Sequence, residues 1–317
     1  MHRTYALLAL LLLRLTSAWA NNPPDSLRQR LDYVFAPLDK SQVPTGCLAE
    51  YAIPLLTLEP FTGTLTDSSL TNAQAWRMLY ATWTSSRVAG TTTLPSLAEV
   101  NTRWDAAVAA TPASIPVAVQ RLDYATLRPD ARTANMLTVQ NDQFHDVPGR
   151  AQSPYLKRTL FAAAPRRSVA RNGVVSLVFP SNLHLRSSGY PVGLEVDFGD
   201  GNGYVSAAWG QPVAASYSTE GAKRIRVRVT YSSSAPPTPG GAIQVAAAAP
   251  QPTFTVLESW FDIQVSGVAC AGCRYDLPGD DIGFPRTMDH SGGLVSIRYG
   301  GNHTQHANPI QLGSADN

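Results

Sequence analysis

Cysteine is scarce in this sequence, with three residues in 317: Cys47, Cys270 and Cys273. So few cysteines exclude the disulfide frameworks that hold small secreted domains together. The chain is also long enough to bury a substantial hydrophobic core without such cross-links. Cys47 has no neighbouring cysteine to pair with and is predicted to be a small, buried hydrophobic residue.

Charge is also sparse, since Asp, Glu, Lys and Arg make up 15% of the residues, well below the usual content of about a quarter. Twenty-five basic residues oppose 23 acidic ones, so the formal net charge is +2. A chain so close to neutrality lacks the basic excess that attracts nucleic acids and anionic membranes. Neither is therefore expected as a partner.

The common catalytic motifs are missing as well. The sequence contains no Gly-x-Ser-x-Gly nucleophile motif, no His-Glu-x-x-His and no Walker loop. His145, His184 and His290 are isolated from one another along the chain. The sequence therefore predicts no catalytic residues, no metal site and no cofactor, and we expect a non-catalytic protein.

The N-terminus has the three parts of a secretory signal peptide. Arg3 supplies positive charge, residues 5 to 13 form an apolar run, and Ala18 and Ala20 are the small residues that signal peptidase accepts. The run is short for a membrane span and Arg14 interrupts it; an uncleaved anchor is the alternative. Cleavage near Ala20 is expected to give a secreted or cell-surface chain without a transmembrane segment, with 23 basic and 23 acidic residues.

Residues 21 to 165 form a first region, predicted to be α+β. Apolar residues at helical spacing predict a short helix before Pro37, a second helix near residues 71 to 87 and a third between Ser96 and Pro112. Residues 114–129 predict a strand, and residues 149–165 predict a loop followed by a strand. The Trp and Tyr residues of the helices are expected to lie in the core rather than on a binding face.

Residues 166 to 268 differ in kind, because short β-type segments follow one another with only turn residues between them. This spacing is typical of a β-sandwich. Residues 232 to 253, rich in Pro, Gly, Ser and Ala, interrupt the pattern, and the alternation resumes in FTVLESWFDIQV. The strands on either side are predicted to form one β-hairpin with this low-complexity loop at its tip; a linker is the alternative.

The segment KRIRVRVTY has the clearest strand pattern. Ile225, Val227 and Val229 alternate with three arginines, which the pattern places on the opposite face: Arg224, Arg226 and Arg228. We expect these arginines on the open face of an edge strand, where charge discourages sheet-to-sheet aggregation. Binding of an anionic polysaccharide is the alternative.

The stretch EVDFGDGNGYV, residues 195 to 205, combines acidic residues with three glycines. Asp197, Asp200 and Asn202 could supply oxygen ligands to calcium, but the closing glutamate of an EF-hand is absent. A phosphate site requires a helix after the glycines, and a strand pattern follows instead. Glycines that allow positive φ, together with short Asp and Asn side chains, predict a tight turn.

This stretch, followed by YSTEGAKRIRVRVTY, resembles the PKD domain. The matching residues are Asp197 to Gly201, Tyr217, Gly221 and the strand 223 to 231, whereas Val196 replaces the usual Trp and Ala215 the usual His. The resemblance implies an immunoglobulin-like β-sandwich in an exported bacterial protein. It also implies a role in adhesion, spacing or interaction at the cell surface or in the matrix, with a protein or polysaccharide partner.

Two other functions are open at this point. The chain could be the non-catalytic front portion of a larger secreted hydrolase. It could also be a carbohydrate-binding module that uses an exposed Trp209 or Trp260 as a stacking platform.

Residues 269 to 317 form a Gly-rich C-terminal segment with one predicted strand. It contains Cys270 and Cys273 in a C-x-x-C motif, followed by His303 and His306. A local disulfide, two free thiols, or a zinc site formed with both histidines are the alternatives. A redox role is not favoured, because no helix pattern follows the motif.

Overall fold

The computed structural model describes residues 26–90, 94–235 and 251–268. Within these ranges the α-helices are α1 (Leu27–Val34), α2 (Ala73–Ser85) and α3 (Leu97–Ala110). The strands of the N-terminal half are β1 (Leu70–Thr71), β2 (Ile115–Leu127), β3 (Leu137–Gln140), β4 (Gln143–Asp146) and β5 (Tyr155–Pro165). The later strands are β6 (Val169–Ala170), β7 (Val174–Val178), β8 (His184–Arg186), β9 (Tyr190–Asp197), β10 (Tyr204–Ser206), β11 (Pro212–Ser216), β12 (Gly221–Ser232) and β13 (Phe254–Val265). The fold is therefore β-rich and of the α+β type.

The helices begin where their capping residues predict. The Asn72 side chain accepts a hydrogen bond from the Ala75 N–H at the start of α2. Ser96 and Glu99 exchange side chain to backbone hydrogen bonds at the start of α3, the arrangement known as a capping box. The tryptophans of these helices are at most 2% exposed, which confirms the prediction that they lie in the core.

The strands form two large sheets and one small hairpin. The first sheet has the order β1-β13-β12-β9-β10, with β6 also beside β13. The second has the order β11-β7-β2-β5, with β8 also beside β2, while β3 pairs only with β4. β12 and β13 pair antiparallel from Gly221 opposite Val265 to Ser232 opposite Phe254. The predicted hairpin pairing is confirmed.

The two large sheets pack face to face around a shared core. Val117 and Phe161 from β2 and β5 lie in this core together with Val196, Val227 and Phe261 from the later strands. The predicted division between residues 165 and 166 therefore falls between strands that contribute to one core. Which segments fold independently stays a prediction.

Helices α2 and α3 cover the other face of the second sheet. Their tryptophans pack against Ala118, Leu122 and Leu160, which point away from the shared core. The first sheet has no such cover from the described helices, so its outer face is not covered by a helix within the described ranges. Across the described ranges, no helix is both long and apolar enough to span a bilayer. The predicted signal peptide and C-terminal segment lie outside these ranges.

Candidate functional site

The Asp- and Gly-rich stretch forms the turn between β9 and β10. Asp197 Oδ1 accepts a hydrogen bond from the Gly199 N–H at 2.8 Å, and Asp200 Oδ1 accepts one from the Asn202 N–H at 3.0 Å. The three glycines of the turn all have positive φ: 66° at Gly199, 91° at Gly201 and 72° at Gly203. The acidic side chains therefore hold the turn itself, and the predicted tight turn is confirmed.

The turn is fixed to the rest of the first sheet at two points. A Cβ at position 199 would lie 2.7 Å from the Arg224 carbonyl oxygen, so only glycine allows β12 to approach this closely. The Tyr217 hydroxyl donates a hydrogen bond to the Phe198 carbonyl oxygen at 2.6 Å. Burial raises the pKa of Tyr217 to about 12, so this donor stays protonated. The two halves of the PKD-like motif are thus in direct contact.

We expect Asp200→Ala to lower the free energy of unfolding by about 1 kcal/mol, because the turn loses hydrogen bonds to its carboxylate. The loss should be the same in calcium and in a chelator. In the part of the chain that the structure describes, no three His, Cys, Asp or Glu side chains are grouped as metal ligands. Thermal melting in both buffers measures the effect, and a calcium-dependent rise in Tm that disappears in the variant would contradict it.

The three arginines of β12 are paired with carboxylates on the neighbouring strands. Arg224 Nε lies 3.0 Å from Asp262 Oδ1, and Arg226 Nη1 lies 3.4 Å from Asp197 Oδ2. Arg228 donates to Glu258, with Nη2 2.9 Å from Oε1. The prediction of an edge strand was wrong, because β12 lies between β9 and β13. The arginines instead form cross-strand pairs, which leaves little uncompensated charge for a polyanion.

Glu195 differs from the other carboxylates of this face. Its Oε2 lies 3.8 Å from Arg228 Nη1, beyond hydrogen-bonding distance, and it accepts no hydrogen bond from another described residue. Glu258, in contrast, also accepts a hydrogen bond from the Tyr204 hydroxyl at 2.7 Å. Burial and this hydrogen bond raise the pKa of Tyr204. The row Glu195–Arg228–Glu258 therefore contains two acids for one arginine, and Glu195 lacks a donor.

The same face is apolar at its other end. Four side chains there are unusually exposed for their type: Tyr190 at 37%, Val192 at 46%, Phe254 at 63% and Val256 at 52%. Ser232 pairs with Tyr190 on one side and Phe254 on the other, so these two rings flank it on one face. We call these four residues the apolar end. A β-bulge at Val192, where Thr230 faces Gly193 and Tyr231 faces Pro191, bends this part of β9.

A shallow groove of about 480 Å³ lies where the apolar end meets the charged rows. It is lined by Thr230, Val256, Glu195, Arg228 and Glu258 of the sheet, and by Gly63 and Thr64 of the loop before β1. Because β9, β12 and β13 are hydrogen-bonded neighbours, the side chains that these strands contribute are held in register by the sheet.

Neither predicted stacking platform is an exposed tryptophan. Trp260 is only 9% exposed, and the Arg224 guanidinium carbon lies 4.6 Å from its ring centre. Trp209 is partly buried, with its ring stacked on that of His184 at 4.4 Å. The exposed aromatic rings of the outer face are instead those of Tyr190 and Phe254.

His184 is not an isolated residue, as its sequence position suggested, but the centre of a polar cluster. Its Nε2 lies 2.7 Å from the Tyr231 hydroxyl. Burial, with further contributions from Arg186 and Arg121, lowers the pKa of His184 to about 4. The imidazole is therefore neutral at physiological pH. The sequence contained no signal for this cluster, because its members come from distant strands.

The cysteines divide into one described residue and two outside the described ranges. Cys47 is buried and free, as predicted, and burial raises the pKa of its thiol to about 11. Cys270, Cys273, His303 and His306 all lie outside the described residues, so the alternatives for them stay predictions.

The roles of Glu195 and Glu258 were not predicted from the sequence. A signal for Glu258 was present, because the alternation that buries Phe261 and Ile263 places Glu258 and Asp262 on the same face as the arginines. Glu195 directly precedes the buried Val196 in β9, so the same alternation places Glu195 on the outer face. The cross-strand register determines which carboxylate lies beside which arginine, and it could not be predicted from either strand alone.

No family model matches the chain, and neither a curated protein nor a solved structure matches it. The PKD resemblance therefore stays a prediction that rests on the turn, Tyr217 and β12.

Proposed function

We propose that this chain is an exported bacterial protein with a PKD-like, immunoglobulin-like β-sandwich, and that it acts without catalysis as an interaction module at the cell surface or in the matrix. The contacts of Tyr217 with Phe198 and of Gly199 with Arg224 support the assignment to this fold, because they join the two halves of the motif. The two face-to-face sheets support it as well.

The observation that carries the proposal is the open outer face with its apolar end. Isolated exposed apolar residues are common on protein surfaces, but a group of them on one face of a sheet indicates an interaction site. Tyr190 and Val192 on β9 and Phe254 and Val256 on β13 form such a group, on either side of β12. The neighbouring ion pairs form a polar border, as is usual around the apolar centre of a protein interface.

We expect Val256→Asp to reduce binding of the mature protein to the surface of cells of the producing bacterium by at least about tenfold. An aspartate at position 256, where the apolar end meets the groove, must be desolvated without a partner when the face is covered. Flow cytometry with the labelled mature chain measures the effect. Val139→Asp is the matched control, because Val139 is 40% exposed on the separate β3–β4 hairpin. Equal binding by both variants, or no cell binding at all, would contradict the proposal.

A further inference from the structure

We infer that the outer face of the first sheet binds a protein segment in which apolar side chains lie next to a basic residue, and that Glu195 receives this basic residue. The inference rests on the proposed function and specifies the partner of the same face. The recognition elements are the apolar end, the adjoining groove and the carboxylate that has no donor.

The apolar end provides the contact area. Phe254 and Val256 alternate on β13, while Tyr190 and Val192 lie across β12 on β9. Side chains at alternate positions of a strand point to the same face of the sheet, and an exposed apolar face suits apolar side chains of an extended or helical segment. Transfer of this surface out of water supplies the favourable free energy of association.

The charge of the groove specifies the basic residue. Glu195 and Glu258 flank a single arginine, so the row next to the apolar end has an excess negative charge. Glu258 already accepts hydrogen bonds from Arg228 and from the Tyr204 hydroxyl. Glu195 has a side chain 39% exposed, and water can satisfy it while the face is open. Once a partner covers the groove, this carboxylate requires a new donor, and a Lys or Arg side chain supplies a charge-assisted hydrogen bond.

A second copy of the chain that packs on the same face, with a two-fold axis along β12, would oppose like charges. Arg228 would face its own copy, and Glu195 would face the Glu258 of the other copy. Specific interfaces avoid such opposition, so this arrangement favours a different protein as the partner.

Selection from a random peptide library displayed on yeast tests the inference, with the mature protein as bait. The enriched peptides should carry Lys or Arg next to at least two apolar residues. They should bind Glu195→Gln about tenfold more weakly, the equivalent of about 1.4 kcal/mol, and they should not bind Val256→Asp. Two matched controls should bind like the unchanged protein: Glu59→Gln, at an exposed carboxylate of the N-terminal region, and Val139→Asp.

Several results would overturn the inference. These are an absence of enriched peptides, enrichment of acidic or uncharged peptides, and equal binding to Glu195→Gln and Glu59→Gln. Retention on insoluble cellulose or chitin that is lost in Val256→Asp would assign the face to polysaccharide. Dimerisation through this face in analytical ultracentrifugation would assign it to a second copy. If Val256→Asp abolishes cell binding while no basic peptide is selected, the interaction module stands and the class of partner is wrong.

Discussion

A chain that ends at Ser232 is expected to lose cooperative unfolding altogether. The truncation removes β13, which pairs with β12 along its whole length. It also removes Phe261, Ile263 and Val265, each 0% exposed in the shared core. Deletion of a single large core side chain costs about 2–5 kcal/mol, and a whole domain has only about 5–15 kcal/mol of stability. Circular dichroism during heating should show no sigmoidal transition.

The matched control is a deletion of residues 236 to 250, which keeps both strands of the hairpin. The Ser233 N–H bonds to the Thr253 carbonyl oxygen, so the shortened connection still joins paired residues. Loop closure depends only on the logarithm of loop length, and Tm should change by no more than about 2–4 °C. A chain ending at Ser232 that melts cooperatively with full stability would show that residues 232 to 253 are a linker after all.

Acidification from pH 7 to pH 4.5 is expected to destabilise the protein by about 2 kcal/mol through His184 alone. The pKa of His184 is about 4 in the folded protein, against about 6.5 in an unfolded chain. Between these values the unfolded state binds a proton that the folded state does not. The stability present above pH 6.5 is therefore lost as the pH falls towards 4. Chemical denaturation at a series of pH values measures the loss.

The variant His184→Phe separates this effect from the titration of carboxylates. Phenylalanine keeps a ring against Trp209 but cannot bind a proton, and it leaves the Tyr231 hydroxyl without its histidine partner. The variant should be less stable than the unchanged protein at pH 7, and this difference should shrink or reverse at pH 4.5. Two stability curves that stay parallel between pH 7 and pH 4.5 would show that His184 does not titrate as expected.

Local patterns were sufficient to predict most of the elements. Helices α2 and α3 could be located because Asn72, Ser96 and the spaced tryptophans combine capping with an apolar face. β12 and β13 could be located because buried and exposed residues alternate along each of them. The turn between β9 and β10 could be predicted because its glycines require positive φ.

Long-range pairing could not be predicted from local patterns. The parallel contacts of β2 with β7 and β8 join segments that the sequence assigned to different regions. The β3–β4 hairpin was also missed, because its strands are short and its turn uses Asn141 and Asp142, both at positive φ, without a glycine. The candidate site depends on such pairings, since its charged rows exist only in the register of β9, β12 and β13.

The side chain of Thr71 joins distant segments of the chain, and such long-range contacts affect folding kinetics. Its hydroxyl bonds the Ala163 carbonyl oxygen and, at 2.9 Å, the Trp260 carbonyl oxygen, 189 residues away along the chain. Proteins dominated by contacts between distant segments fold slowly, because loop closure has to precede the favourable contacts. The first sheet cannot be completed until residues 254–265 have left the ribosome. A chain in synthesis therefore stays without its native topology until these residues have emerged.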